Sequence, residues 1–142
     1  GNNGIININI RQKNWGKSMA IQEDGKIVVT GSTSDHGYYS DIITLRFTED
    51  GIPDIEFGGN GYVIINFDTT YLRRAETNFT SIQKDGKILV AGNIFDDNLE
   101  YPLPVLIRYL PDGNLDNSFS LDGIAQAKGF RTVDGFILQK DQ

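Results

Sequence analysis

Acidic residues in glycine-rich turns are the first candidates for chemistry in this sequence, because their carboxylates could bind a cation. The segment Asp112-Gly113-Asn114-Leu115-Asp116 has the oxygen-rich character of a calcium loop. An EF-hand, however, needs alternating ligands followed by a later Glu, and this segment does not complete that pattern. Asp-Gly pairs are also common residues of tight turns. We therefore predict turns here and no metal site.

Catalytic groups are equally hard to assemble. His36 is the only histidine, and its Ser-Asp-His-Gly loop has no second copy, which argues against a catalytic triad or a histidine metal site. Two pairs of acids, Asp96 with Asp97 and Asp35 with Asp41, could in principle flank a glycosidic bond. Nothing in the sequence raises the pKa of one acid above that of its neighbour. We predict no catalytic residue, no cofactor and no enzyme activity.

Two arginines occupy equivalent positions in similar segments and could clamp an anionic ligand. They are Arg46 and Arg108, and each is followed eight residues later by an aspartate, Asp54 or Asp116. A repeated arginine beside a repeated aspartate is more simply a structural ion pair between a strand and a loop. We favour the structural interpretation.

Composition limits the possible partners. The net charge is -6 and the pI is about 4.6, which opposes attraction to nucleic acid or to anionic lipid. Hydrophobic residues make up 39% of the chain, enough for a core. The absence of cysteine excludes disulfides and thiolate sites. No apolar run reaches the length of a membrane span, so we predict no membrane insertion.

An internal repeat determines which elements position these residues. Residues 21–31, with the sequence IQEDGKIVVTG, return 61 residues later at 82–92 as IQKDGKILVAG. Residues 45–57 return 62 residues later at 107–119, and the motif begins a third time at 138–141. Similarity over so many positions is typical of a tandem repeat protein. The predicted copies are 1–57, 58–119 and a truncated third copy at 120–142.

Each copy is predicted to contain four β-strands and almost no helix. Residues 6–10 alternate isoleucine with asparagine, which is the period of a strand with one buried face. Strands two and three, at 18–22 and 26–31, are joined by an Asp-Gly turn that suits a tight hairpin. Strand four covers 41–47. We expect each copy to form its own four-stranded antiparallel meander.

The apolar residues on both faces of the central strands, at 27–29 and 88–90, require each sheet to be covered on two sides. Tandem four-stranded meanders are typical of β-propeller blades, and a β-solenoid is the weaker alternative. We predict an all-β fold of propeller blades, two complete and a third partial. The missing cover would come from further blades of the same polypeptide, or from three chains that close a ring of seven blades.

The repeats resemble the delta-60 repeat (DUF5122-type) β-propeller family of bacterial secreted and surface proteins. The family pattern is close to AIQxDGKIVVAG followed by RYxxDGxLDxxFGxxG, and this chain matches it at 20–31, 46–61, 81–92 and 108–123. The departures are Ser81, Ile52-Pro53 and Ser120. The resemblance implies a propeller fold and an extracellular or cell-surface location. It implies no activity and no catalytic residue.

One end of each predicted sheet is favoured as a recognition surface. The connections between strands one and two and between strands three and four meet there, and the length differences between copies fall on these connections. Loops of this kind often carry binding residues. Five aromatic residues with polar tips are predicted in them: Trp15, Tyr38, Tyr39, Tyr71 and Tyr101. The alternative is that these rings only pack over the ends of the blades.

The function expected from these observations is a non-catalytic scaffold that also binds a protein or a glycan. Two alternatives remain open. One is a fragment of a propeller enzyme, of glycosidase or lyase type, whose catalytic residues lie outside this segment. The other is an inert spacer or a secreted cargo.

Overall fold

The computed structural model describes residues 4–35, 39–67 and 73–133. Within these ranges the chain forms eight strands and no helix, so no helix that could cross a membrane is found there. The strands are β1 (Lys13–Ile21), β2 (Ile27–Ser34), β3 (Asp41–Phe47), β4 (Tyr62–Ile65), β5 (Arg73–Ile82), β6 (Ile88–Asp96), β7 (Leu103–Tyr109) and β8 (Ile124–Gln126). They form two antiparallel sheets with the orders β1-β2-β3-β4 and β5-β6-β7-β8. The all-β, four-stranded prediction is confirmed.

Both sheets begin with a hairpin that has the predicted Asp-Gly turn. Gly25 and Gly86 each have a φ of 81°, in the left-handed region that residues with side chains rarely adopt. Their N–H groups donate to the carbonyls of Gln22 and Gln83 at 3.0 and 2.9 Å. The aspartate carboxylate of each turn accepts the N–H two residues later at 3.2 Å. The turn residues therefore determine where β1 and β5 end.

The sheets are offset from the sequence copies. β4 lies at the start of the second copy, yet it pairs with β3 of the first copy, from Ile42↔Ile65 to Leu45↔Tyr62. β8 pairs with β7 in the same way. The prediction that each copy forms its own meander is therefore wrong, because the strand predicted to open each sheet closes the preceding sheet. The sheets span 13–65 and 73–126, whereas the sequence period gives copies at 1–57 and 58–119.

Residues 6–10, predicted as a strand, form no strand. They lie instead against the outer face of the first sheet. There they border a cavity of about 280 Å³ whose apolar lining includes Ile6, Ile8, Ile10, Val29, Ile43 and Leu45. Apolar contacts of the half-buried Ile8 and Ile10, rather than strand pairing, position this segment. The third copy of the motif, at 138–141, lies outside the described residues.

The core lies between the two sheets, along a boundary that we call the seam. Its buried apolar residues are Val28, Ile42, Phe57 and Ile65 around the first sheet and Ala75, Ile88, Val90, Ile94, Val105, Ile107 and Tyr109 from the second. Polar groups also meet across the seam, where the hydroxyls of Thr30 and Thr80 are 2.5 Å apart. Complete burial raises the pKa of the Tyr109 phenol. The predicted stacking of sheet on sheet is confirmed.

A bulge in the first strand of each sheet explains the glycine that ends the repeat motif. The register shifts after Gly16 in β1 and after Thr77 in β5. Gly31 and Gly92 lie opposite these bulges. A Cβ atom at Gly31 would overlap the carbonyl oxygen of Trp15, and Gly92 has the same kind of backbone contact in the second sheet. The close approach of two backbones therefore requires glycine at these positions.

Gly31→Ala is expected to lower the free energy of unfolding by about 1 to 3 kcal/mol, because the added methyl group meets backbone that cannot move aside. Gly16 pairs with Gly31 across the two strands and provides the control. A Cβ atom at Gly16 would only touch Val29, at 4.0 Å, so Gly16→Ala should change the free energy by less than about 0.5 kcal/mol. Urea unfolding of both variants measures the difference, and equal losses would show that the close approach does not matter.

Candidate functional site

The structure brings together two of the five aromatic residues predicted to face a ligand. Trp15 lies in β1 and Tyr39 just before β3, and their side chains are 44% and 42% exposed. The predicted loop position of Trp15 is wrong, because β1 begins at Lys13 and Trp15 pairs with β2. Tyr101 lies in the connection between β6 and β7. Tyr38 and Tyr71 lie outside the described residues.

Trp15 and Tyr39 share a cleft of about 280 Å³ at the end of the seam where β2 connects to β3. The cleft is lined by Trp15, Lys17, Ser32, Tyr39, Ser40, Arg74 and Glu76. The first sheet supplies the rings and the serines, and β5 of the second sheet supplies the arginine and the glutamate. The cleft therefore exists only because two blades meet.

Three hydrogen bonds hold the floor of the cleft. Ser40 and Arg74 form a parallel bridge between the sheets, in which the Ala75 N–H donates to the Ser40 carbonyl at 2.8 Å. The hydroxyls of Ser32 and Ser40 both donate to the Ala75 carbonyl at 2.9 Å. Since each hydroxyl uses its proton in this way, its oxygen remains able to accept a hydrogen bond. The floor is thus rigid and offers acceptors.

The charged side chains of the cleft are two cations and one anion. Arg74 Nε lies 3.3 Å from Glu76 Oε1, and the guanidinium stacks 4.5 Å from the centre of the Phe95 ring. These two contacts orient Arg74. Lys17 is exposed, and no carboxylate of the described residues lies within salt-bridge distance of it. Positive charge therefore exceeds negative charge in this part of an acidic chain.

Tyr101 is separate from the cleft. The Arg131 guanidinium stacks 4.1 Å from the centre of its ring and donates to its hydroxyl at 3.2 Å. This ring therefore packs with the segment that follows β8 and remains 40% exposed.

The repeated arginines are structural, as predicted. The buried Arg46 donates through Nε to Asp54 Oδ2 at 2.8 Å and stacks 4.8 Å from the centre of the Phe57 ring. Its Nη1 donates across the seam to the carbonyl of Pro111. Every one of these partners belongs to the protein, so Arg46 is not available to clamp a ligand.

The second copy repeats this arrangement on an outer face. Arg108 Nε lies 2.8 Å from Asp116 Oδ2, and its guanidinium stacks 4.6 Å from the centre of the Phe119 ring. The hydroxyl of Ser118 donates to Asp116 at 2.6 Å and, with other donors and cations, lowers the pKa of Asp116 to about 2. The side chain of Arg108 is 20% exposed, whereas that of Arg46 is 5% exposed.

The acidic turn considered as a calcium loop is a backbone turn. Asp112 accepts the N–H and the side-chain amide of Asn114 at 2.9 and 2.8 Å, and the first of these bonds contributes most to lowering its pKa. Within residues 4–35, 39–67 and 73–133, no three His, Asp or Glu side chains come close enough together to hold a metal ion.

Three of the four acids considered for glycoside hydrolysis have structural partners. Asp35 and Asp41 both pair with Arg11, at 3.4 and 2.5 Å. Asp96 accepts the backbone N–H of Asn98 at 2.9 Å and so stabilises a local turn. His36 lies outside the described residues.

Sequence reasoning misses five of the residues that line the cleft: Lys17, Ser32, Ser40, Arg74 and Glu76. They come from different sheets, whose relative placement no local pattern gives. One signal was present, because Arg74 and Glu76 stand two residues apart on a strand and such residues share a face.

Residues 22–57 and 83–119 match the family described as a domain of unknown function (DUF5122) β-propeller, and together they make up just over half of the chain. The chain belongs to this family. The suspected resemblance and the propeller fold are thereby confirmed. No curated protein and no solved structure matches the chain.

The matched segments of the DUF5122 family contain both arginine–aspartate pairs but not every residue of the cleft. Trp15 and Lys17 precede the first segment, and Arg74 and Glu76 lie between the two. The family match thus covers the central strands and turns of the two sheets, whereas much of the cleft comes from residues outside the matched segments.

Asp54→Ala is expected to lower the free energy of unfolding by about 3 to 5 kcal/mol, because it leaves the buried Arg46 without its counter-charge. Asp116→Ala is the matched variant in the second copy. Its loss should be smaller, because water reaches part of the Arg108 side chain. Urea unfolding at neutral pH measures both variants. Equal losses in the two variants would contradict the view that burial of the arginine by the neighbouring sheet determines how much stability is lost.

Proposed function

We propose that the chain is a non-catalytic β-propeller segment of a secreted or cell-surface bacterial protein, serving as a scaffold and as a protein- or glycan-binding module. The observation that carries this proposal is the cleft at the seam, in which two partly exposed aromatic rings stand beside oriented polar groups. Ligand sites commonly combine an apolar wall with a few fixed polar groups. The location rests on the resemblance of the repeats to those of exported bacterial proteins.

The scaffold role is supported by the way the two sheets are joined. Buried apolar residues fill the seam, and hydrogen bonds from Thr30, Ser32 and Arg46 cross it. Directed bonds of this kind favour one relative placement of the sheets, because other placements would leave buried polar groups unpaired. The cleft therefore keeps its shape before a ligand arrives, which lowers the entropy lost on binding.

Further blades of the same polypeptide are the proposed partners of the outer face of the second sheet. Arg46 donates a hydrogen bond to a backbone carbonyl beside the neighbouring sheet, that of Pro111. Arg108 and Phe119 occupy the equivalent positions on the second sheet and are only partly buried. A following copy of the repeat would place its own turn there and complete the same contact.

The mass of the natural polypeptide tests the proposal of further blades. Since a propeller needs blades beyond the two described sheets, we expect an intact mass well above the 15.8 kDa of this chain. Mass spectrometry of the protein isolated from its source measures it. A mass near 15.8 kDa would overturn covalent extension and favour a ring assembled from several chains.

The binding role is tested with panels of immobilised oligosaccharides and of purified secreted proteins. At least one ligand should bind, and Trp15→Ala and Tyr39→Ala should each weaken its binding about tenfold or more, as loss of about 1.4 kcal/mol would. Ile52→Ala and Ile55→Ala are the controls, because these exposed apolar side chains lie at the opposite end of the sheets. They should leave the affinity unchanged. If no ligand binds, or if the controls weaken binding equally, the proposed binding role of this cleft is overturned.

A further inference from the structure

The charges of the cleft point to a narrower class of ligand than the proposed function does. The whole chain has a net charge of -6, yet the cleft contains Lys17 and Arg74 against the single acid Glu76. An acidic protein repels anions over most of its surface, so a local excess of positive charge favours an anionic group at that point. The cleft is therefore suited to a ligand with one negative charge.

The polar floor indicates what else the ligand carries. Ser32 and Ser40 line the cleft and are largely buried, and because both give their hydroxyl protons to the Ala75 carbonyl, their oxygens can only accept further hydrogen bonds. The free oxygen of the Glu76 carboxylate is an acceptor too, since its Oε1 lies beside Arg74. Acceptors of this kind need donors on the ligand. Several hydroxyl groups on one ring satisfy that need.

The rings and the size of the cleft point in the same direction. The indole of Trp15 and the phenol of Tyr39 each offer an aromatic face against which the apolar C–H face of a pyranose can pack. The volume, about 280 Å³, is just below the usual range for ligand pockets, about 300 to 1,000 Å³. The cleft thus has room for little more than one sugar unit.

We propose that this cleft binds a hexuronate unit of an acidic polysaccharide, an inference that rests on the proposed binding function. The sugar carboxylate lies between Lys17 and Arg74. The pyranose packs on Trp15, and its hydroxyls donate to Ser32 and Ser40. Contacts of Arg74 with Glu76 and Phe95 hold its guanidinium ready for the carboxylate before the ligand arrives.

The probes are trimers of galacturonate, glucuronate and mannuronate, each compared with its methyl ester. Esterification keeps the shape of the sugar and removes its charge. Calorimetry with the full chain should show that at least one acid binds about tenfold or more tightly than its ester, and that added salt weakens the binding of the acid but not that of the ester.

Lys17→Gln should remove most of this preference for the acid, whereas Trp15→Ala should weaken the binding of both the acid and the ester. Lys13→Gln, an exposed lysine of β1 outside the cleft, is the matched control and should change nothing.

The outcomes separate this inference from the proposed function. If an ester binds as tightly as its acid, and only Trp15→Ala weakens both, the cleft binds sugars but the preference for uronate is overturned. If none of the three acids binds, while Trp15→Ala abolishes the binding of another ligand, the hexuronate proposal is overturned and the binding function stands. If no ligand of any kind depends on Trp15, both are overturned. Urea unfolding of each variant confirms that the fold is intact.

Discussion

The buried arginine–aspartate pair holds together three parts of the structure: strand β3, the connection that follows it, and the second sheet. Arg46 pairs with Asp54 through its side chain, and its backbone also accepts the Asp54 N–H and donates to the Gly61 carbonyl, each at 2.9 Å. Its Nη1 reaches Pro111 across the seam. A guanidinium withdrawn from water is destabilising by several kcal/mol unless its donors are satisfied. The path of the chain from β3 to β4 is therefore held by the backbone and the side chain of this one residue.

The second copy shows the same constraint, although no further sheet lies beside it within the described residues. Asp116 donates its N–H to the Arg108 carbonyl, and Arg108 donates to the Gly123 carbonyl, at the same distances as in the first copy. The local fold thus forms from the copy itself, while the burial of the ion pair depends on what lies beside it. This explains why the repeat motif is so regular in sequence even though the two arginines differ in exposure.

Much of the fold could be predicted because its turns and alternation are local. The Asp-Gly hairpins, the central strands and the arginine–aspartate pairs each follow from residues close together in sequence. Which strand of the repeat starts each sheet could not be predicted, because a periodic sequence gives the length of a repeat and not the point at which a sheet begins. Whether residues 62–65 pair forwards or backwards is decided by the β3–β4 connection, and the isoleucines at 6–10 show that alternation alone does not make a strand. In the cleft, Trp15 and Tyr39 could be found by residue type, but Lys17 and Arg74 meet them only through a bulge and a neighbouring sheet.

The offset between copies and sheets also affects how such a gene can change in length. Each sheet takes three strands from one copy and its last strand from the next, and the seam joins the arginine of one copy to the turn of the following copy. Unequal recombination between two copies, wherever it falls within the repeat, therefore rebuilds a complete strand order and an unchanged contact. Blade number can rise or fall in whole units without any new interface having to evolve.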